Sequence, residues 1–262
     1  MKKIVCAMLV VASLFSVVGC KKAKNSTSES KKFVLGLDAS FPPMGFTEAN
    51  GEIVGYDIDL AKEVAKRLGK EFEAKPINWE AKEMELASGS IDCIWNGFTM
   101  TEERINAMSF TSAYLNNDQV LVVRNDGAIS TLKDMSGKVV GCQSGSSAED
   151  AIKDSPDFAK SLKKIVYYEE NLTALTDLEV GGVDAVVMDS VVANYTISKS
   201  KKNLTVVGEP LAQEAYGIGF RKSEDGAKLR DEVWKTLQEM ASDGTVAAIS
   251  TKWFGTDISV IK

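Results

Sequence analysis

The sequence predicts an α/β protein built as two similar lobes, and three observations carry that prediction. From Phe33 onward, short apolar runs alternate with segments of helical periodicity. One phrase occurs twice, 92 residues apart: Leu86-x-x-Gly89-x-Ile91-Asp92-x-Ile94 and Leu178-x-x-Gly181-x-Val183-Asp184-x-Val186 share L-x-x-G-x-[IV]-D-x-[IV]. Each copy describes a helix ending at glycine, a tight turn and a buried strand. Finally, 262 residues hold one large or two small domains at ~150 residues each. Two small sheets are expected, one per lobe, in place of one large sheet; chance recurrence of an ordinary helix–strand turn is the competing explanation.

The elements follow in order. FVLGL (33–37) reads as a strand. Asp57 precedes IDLAKEVAKRLG, where Ile58, Ala61, Ala65 and Leu68 share one helical face and Gly69 marks the end. FEAKPI (72–77) is the next strand, and Asn78 is placed to cap a helix over 79–88. A strand over 91–95 follows, and the first lobe ends near Tyr114. DQVLVVR (118–124) then crosses to a second lobe that opens with KDMSGKVVGCQSGSSAED, a strand over 138–142 and a helix from about Ala148. After a strand over 183–188, EAYGIGF (214–220) is strand-like again, and helices over 224–242 and 246–254 close the chain. Their place is back on the first lobe, so the connection between lobes is expected to be double-stranded. The expected division is 33–114 with 217–262 for lobe 1 and 118–213 for lobe 2.

The first twenty residues, MKKIVCAMLVVASLFSVVGC, have the order of an export signal: two lysines, then a short apolar run, then Gly19-Cys20. Val17-Val18-Gly19-Cys20 resembles a bacterial lipobox, in which cleavage precedes the cysteine and the cysteine is acylated. The expectation is a signal over 1–19, lipidation at Cys20, and a polar tether, KKAKNSTSESKK, reaching residue 32. An uncleaved anchor helix would also leave the chain membrane-tethered. Cleavage removes two of the 31 basic residues and none of the 37 acidic ones, leaving a net charge of −8. Of the remaining cysteines, Cys93 and Cys142 lie in apolar runs and are expected as buried free thiols.

Composition removes several chemistries. There is no histidine, so Ser-His-Asp, Cys-His and His-ligated metal mechanisms are excluded. The acidic balance disfavours nucleic acid as a partner. No metal or cofactor is expected, and G-x-x-x-x-G-K-[ST] is absent.

Four clusters fall at predicted strand ends, the edge at which open α/β sheets bind ligands. Asp38 and Phe41 sit in a proline-stiffened loop after the first strand. Asn96, Gly97, Thr99 and Arg104 follow the strand over 91–95, with Thr101 placed to cap a short helix. A guanidinium in a helix's first turn opposes the helix dipole, which favours a functional reading, and it suits bidentate binding of a carboxylate. Gln143-Ser-Gly-Ser146-Ser147 forms a Gly/Ser turn feeding a helix start, a cradle for an anion. Asp189 ends the strand over 183–188; its position alone favours capping the next helix, and the alternative is acceptance from an ammonium. With Trp79 as an aromatic wall, this set complements a free amino acid.

VLGLDASFPPMGF, IVGYDIDLAKEVAKRLG, SGSIDCIWNGFTMTEER, FTSAYLNNDQVLVV, KVVGCQSGSS, GGVDAVVMD and the closing KWFG together resemble solute-binding protein family 3, the polar amino-acid-binding proteins of bacterial ABC importers. The resemblance covers 33–256. It implies a type II periplasmic-binding-protein fold, each lobe a mixed sheet flanked by helices, joined by two hinge strands. It further implies an exported, lipid-anchored monomer that binds an amino acid at Asp38, Phe41, Trp79, Asn96, Gly97, Thr99, Arg104, Gln143, Ser146, Ser147 and Asp189. By similarity, Arg104 and the 144–147 loop hold the α-carboxylate, and the Gly97 carbonyl, Thr99 and Asp189 hold the α-ammonium. ABC permease subunits are the implied partner. Asp38 and the acidic charge point to a polar or cationic side chain such as arginine, lysine or glutamine. Two other classes share the scaffold: a dehydratase-type enzyme, with Asp189 or Glu170 as acid or base, and a receptor module that signals on closure.

Overall fold

The computed structural model describes residues 32–262. The export signal, Cys20 and nearly all of the tether lie outside the described residues. Lys32, assigned to the tether by its charge, instead opens the first strand and pairs with Glu71.

The first lobe is built from strands β1 (Lys32–Leu37), β5 (Glu71–Pro76) and β6 (Cys93–Thr99), with β1 lying parallel to both of the others. A small antiparallel sheet of β2 (Ser40–Phe41), β3 (Gly45–Thr47) and β4 (Ile53–Val54) leads into helix α1 (Tyr56–Arg67). The α1 residues Ile58, Leu60, Ala61, Val64 and Ala65 are buried with Phe33, Leu35 and Leu37 of β1, the apolar face expected from the sequence. Asn78 accepts from the Glu80 amide to open a 3-10 turn over Trp79–Ala81, which runs into α2 (Lys82–Ser88). Gly89 stops α2 in the left-handed conformation that glycine adopts without steric cost. Thr101 caps α3 (Glu102–Ala107), and β7 (Ser109–Phe110) follows.

Strand β8 (Leu115–Arg124) crosses to the second lobe. There β9 (Val139–Gln143), β10 (Lys164–Tyr168) and β11 (Ala185–Asp189) are mutually parallel, packed with α4 (Ser147–Lys153), α5 (Pro156–Ser161), α6 (Asn171–Val180) and α7 (Ser190–Ser200). Strand β12 (Leu204–Phe220) returns over 17 residues. Helices α8 (Glu224–Ser242) and α9 (Thr245–Phe254) then pack against α1. Arg67 meets Asp243 at 2.7 Å, and Asp59 accepts from both Lys252 and Trp253 at 2.7 Å. The chain therefore crosses between lobes twice, as expected.

The expectation of two separate sheets is corrected. The strand order β10-β9-β11-β8-β12-β6-β1-β5 is one continuous mixed sheet, with β7 paired to β12. The cause is the length of β12: its first part pairs with β8, and its last residues, from Tyr216, pair with β6 as well. The register of β12 shifts between Val207 and Ala212 against β8, and between Gly217 and Gly219 against β6. Cys93 and Cys142 are free buried thiols, as expected, and burial pushes the Cys142 thiol up to about 12. Among the described residues no helix is long and apolar enough to cross a membrane, and no His, Cys, Asp or Glu cluster is suited to a metal.

Candidate functional site

Two parallel strands of each lobe, β1 and β6 in lobe 1 and β9 and β11 in lobe 2, end at or just before polar residues of the cleft. Asp38 follows β1, Thr99 ends β6, Gln143 ends β9 and Asp189 ends β11. Together they line a narrow cavity of about 10 Å³ between the lobes, and all eleven residues singled out from the sequence lie on its wall. One local reading changes. Asn96, Gly97, Phe98 and Thr99 do not follow the strand but belong to it, because Phe98 and Thr99 pair with Gly217 and Tyr216 of β12.

The lobe 1 wall is cationic at one end. Arg104 is 7% exposed, and its guanidinium lies 4.6 Å over the Phe98 ring. Its Nη1 donates to the Thr99 carbonyl at 3.2 Å and its Nη2 to the Gly145 carbonyl of lobe 2 at 3.2 Å. Burial holds its pKa below the usual arginine value, with nearby carboxylates opposing that shift. Thr101 Oγ accepts from the Arg104 amide, which fixes the start of α3 and so the root of the side chain. Lys82, unmarked in the sequence, is a second buried cation at 3% exposure. Its Nζ donates to the Trp79 carbonyl at 3.1 Å and to the same Gly145 carbonyl at 2.9 Å. Burial first, and the Arg104 charge second, lower its pKa.

The aromatic walls are Phe41, buried, and Trp79, which meets Phe98 edge-on at 5.7 Å. Gly97 has φ +56°, and a Cβ there would fall 2.9 Å from Phe41 and 3.1 Å from Tyr216, so only glycine fits. The Gly97 amide is held by Asp57 Oδ2 at 2.7 Å, and Tyr114 donates to the same oxygen at 3.0 Å. Asp57 does not merely precede α1. It sits in the first turn with its carboxylate buried, and that burial pushes its pKa up to about 7.

Asp38 joins the lobes. Its Oδ1 accepts from the Ser40 amide and hydroxyl at 2.9 and 2.7 Å, and its Oδ2 accepts from Gln143 Nε2 at 2.7 Å. Asn96 Oδ1 accepts from the Asp38 amide at 3.0 Å, while Asn96 Nδ2 has no partner among the described residues. On lobe 2, Ser146 spends its hydroxyl locally, donating to the Gln143 carbonyl at 2.7 Å and accepting from the Glu149 amide to cap α4. Ser147 Oγ donates across the cleft to Thr99 Oγ at 3.0 Å.

Asp189 is 4% exposed and occupies the N-cap position of α7 without making a side-chain capping bond. The capping role that its position favoured is therefore replaced. Oδ1 accepts instead from Asn117 Nδ2 at 2.8 Å and from the Tyr216 hydroxyl at 2.7 Å, both on the hinge strands. Burial, and beside it the Glu214 charge, push Asp189 up to about 7. Glu214, Asn117 and Gln119 were missed in the sequence. Their only signal is polarity within strands otherwise read as apolar crossings.

A second cavity of about 120 Å³ adjoins the first and shares Asp38 and Trp79 with it. Glu80, Glu169 and Glu170 also line it. The whole arrangement offers a buried guanidinium, a buried carboxylate and aromatic side chains on one cavity wall, with three further carboxylates lining the adjoining cavity.

Comparison with known proteins agrees with this geometry. The model of "Bacterial extracellular solute-binding proteins, family 3" matches residues 33–256. The L-cystine-binding protein TcyJ of Escherichia coli is 31% identical over 237 residues, covering 90% of this chain and 87% of that protein. The arginine-binding extracellular protein ArtP of Bacillus subtilis is 31% identical, covering 97% of this chain and 98% of that protein. Among solved structures, an ABC uptake transporter substrate-binding protein from Streptococcus pneumoniae with bound histidine superposes with a TM-score of 0.84. It is 35% identical, and the match covers 88% of this chain and 95% of that one. The chain therefore belongs to the bacterial extracellular solute-binding proteins of family 3, and its two lobes form the type II periplasmic-binding-protein fold.

Proposed function

We infer that this chain binds a free polar or cationic L-amino acid between its lobes and delivers it to an ABC permease. The observation that carries this reading is that Arg104 from lobe 1 and Asp189 from lobe 2, both buried, line one cavity and together match the charge pattern of a zwitterion. Arg104 takes the α-carboxylate with the 144–147 loop; the Gly97 carbonyl, Thr99 and Asp189 take the α-ammonium; Phe41 and Trp79 flank the side chain. Asp38, Asn96 and Gln143 meet its polar end. The adjoining cavity lined by Asp38, Glu80, Glu169 and Glu170 favours a cationic tip, as in arginine or lysine, over a neutral one such as glutamine. Relatives named for arginine and L-cystine binding, and a neighbour with bound histidine, support the same class.

Lobe 1 (33–114 with 217–262) and lobe 2 (118–213) move about β8 and β12, and the ligand shifts the balance toward the closed form by binding it better. The exported monomer is held at the membrane by lipid on Cys20. The function is binding, not catalysis.

A thermal-shift screen of the twenty amino acids tests this reading. A binder present well above its Kd raises the melting temperature, by ~2.7 kcal/mol of stabilisation at a hundredfold excess. Shifts with basic amino acids are expected; none with any amino acid overturns the reading. Recovery of the bound molecule unaltered separates binding from the dehydratase class.

A further inference from the structure

We propose that Glu214, on hinge strand β12, is the positioning residue that makes the Thr99 hydroxyl an acceptor toward the cavity. This inference rests on the reading of the cavity as an amino-acid site whose α-ammonium meets Thr99.

The argument starts from one oxygen. Glu214 Oε2 receives Thr99 Oγ at 2.9 Å, Gln119 Nε2 at 3.0 Å, Asn117 Nδ2 at 3.1 Å and Ser147 Oγ at 3.2 Å. Four donors converging on one atom is an arrangement that only an acceptor satisfies, and a carboxylate oxygen is one. A hydroxyl carries a single proton. Once Thr99 donates it to Glu214, the lone pairs of Thr99 Oγ are what remain for its other neighbours. Ser147 Oγ, which receives Gln119 Nε2 at 3.2 Å, donates into the same pair of oxygens, Thr99 Oγ and Glu214 Oε2.

Glu214 does not line the closed cavity, yet it touches Thr99 and Ser147, which do. Its partners come from lobe 1 (Thr99), lobe 2 (Ser147) and the other hinge strand (Asn117 and Gln119). In this structure both hydroxyls reach it at once. Asn117 Nδ2 also serves Asp189 Oδ1 at 2.8 Å, so the two acidic groups are linked through one amide. Glu214 therefore organises the polarity of the ammonium end without occupying it. Replacing it by leucine, which has no acceptor, leaves the Thr99 proton without its partner, whereas an amide would keep an oxygen in the place of Oε2. The hydroxyl can then turn its proton to the cavity, where it opposes an ammonium.

The test is a double-mutant cycle read by calorimetry on E214L, T99V and E214L/T99V. The probe is the tightest binder among L-arginine, L-lysine, L-histidine, L-glutamine and L-cystine for the wild type. E214L is expected to weaken binding at least tenfold, whereas on the T99V background the same change costs less than threefold, because the group it acts through is gone. An E214L variant within threefold of wild type overturns the inference, and so does an effect of equal size on both backgrounds. Should E214L melt below the assay temperature, Glu214→Ala replaces it in the same cycle, with the same expected and overturning results. A wild type that binds none of the five probes overturns the reading of the cavity and this inference with it.

Discussion

The two lobes solve the same structural problem with the same residues and then diverge at one point. In lobe 1, Gly89 ends α2 at φ +79°, Asp92 Oδ2 accepts from the Val34 amide at 2.8 Å, and Arg221 donates to the Ile91 carbonyl at 2.8 Å. In lobe 2, Gly181 ends α6 at φ +82°, Asp184 Oδ2 accepts from the Val139 amide at 2.8 Å, and Arg124 donates to the Val183 carbonyl at 2.9 Å. The repeated phrase is thus a scaffold device that ties a turn to the strand beside it. Beyond it, β6 runs on to Thr99 and a short helix carrying Arg104, while β11 stops at Asp189. Similar frames therefore deliver opposite charges to one cavity, and recognition lies in that asymmetry.

Changes at the strand ends should break binding and spare the fold. Arg104→Ala removes the lobe 1 cation that lines the cavity, and losing one partner of a buried charge pair costs about 2–5 kcal/mol or more. Calorimetry should show affinity falling about a thousandfold, ~4 kcal/mol, with a melting transition retained. Asp189→Asn keeps the shape and removes the lobe 2 charge, and a loss of about a hundredfold, ~2.7 kcal/mol, is expected.

Changes within the shared frame should do the reverse. Asp92→Ala and Asp184→Ala each strip one acceptor from a strand amide and should each lower stability by about 1–3 kcal/mol in urea unfolding. Their effects on affinity should stay within a few-fold. Unequal effects on stability would show that the two copies of the phrase do not do the same work.

The smallest expected effect is a pH dependence carried by Asp189 on the cavity wall; Asp57, also pushed up to about 7, meets the Gly97 amide and Tyr114 and does not line the cavity. Asp189 is pushed up to about 7, so in the ligand-free protein it takes up a proton as pH falls through that value. An ammonium needs the carboxylate, so the proton competes with it. Affinity should weaken about tenfold from pH 8 to pH 6, and Asp189→Asn should flatten the profile. The wild-type profile being flat would place the ammonium elsewhere.

Much of this was legible in the sequence for a physical reason: helix ends and strand ends are written locally. Asn78 and Thr101 each cap where their side chains predicted, and α8 spans the predicted residues. What depends on pairing between distant segments was not legible. Nothing local in WNGFT says that β12 will extend β6 through Thr99, or that β12 will fuse two sheets into one. Glu214, Asn117 and Gln119 look like the solvent-facing half of an ordinary alternating strand, and Lys82 looks like a surface lysine on a short amphipathic helix. Their roles come from the closure of one lobe on the other. Asp57 is hidden in the same way, since its partners Gly97 and Tyr114 lie 40 and 57 residues away.

The opposed polarity of the two lobes is tested most directly by a crystal structure of the protein with the amino acid that stabilises it most. The account predicts the α-carboxylate on Arg104, the α-ammonium between Thr99 and Asp189, and the side chain passing Phe41 and Trp79 toward Asp38. An amino acid bound with its ends exchanged, or seated outside the cavity between the lobes, would contradict it.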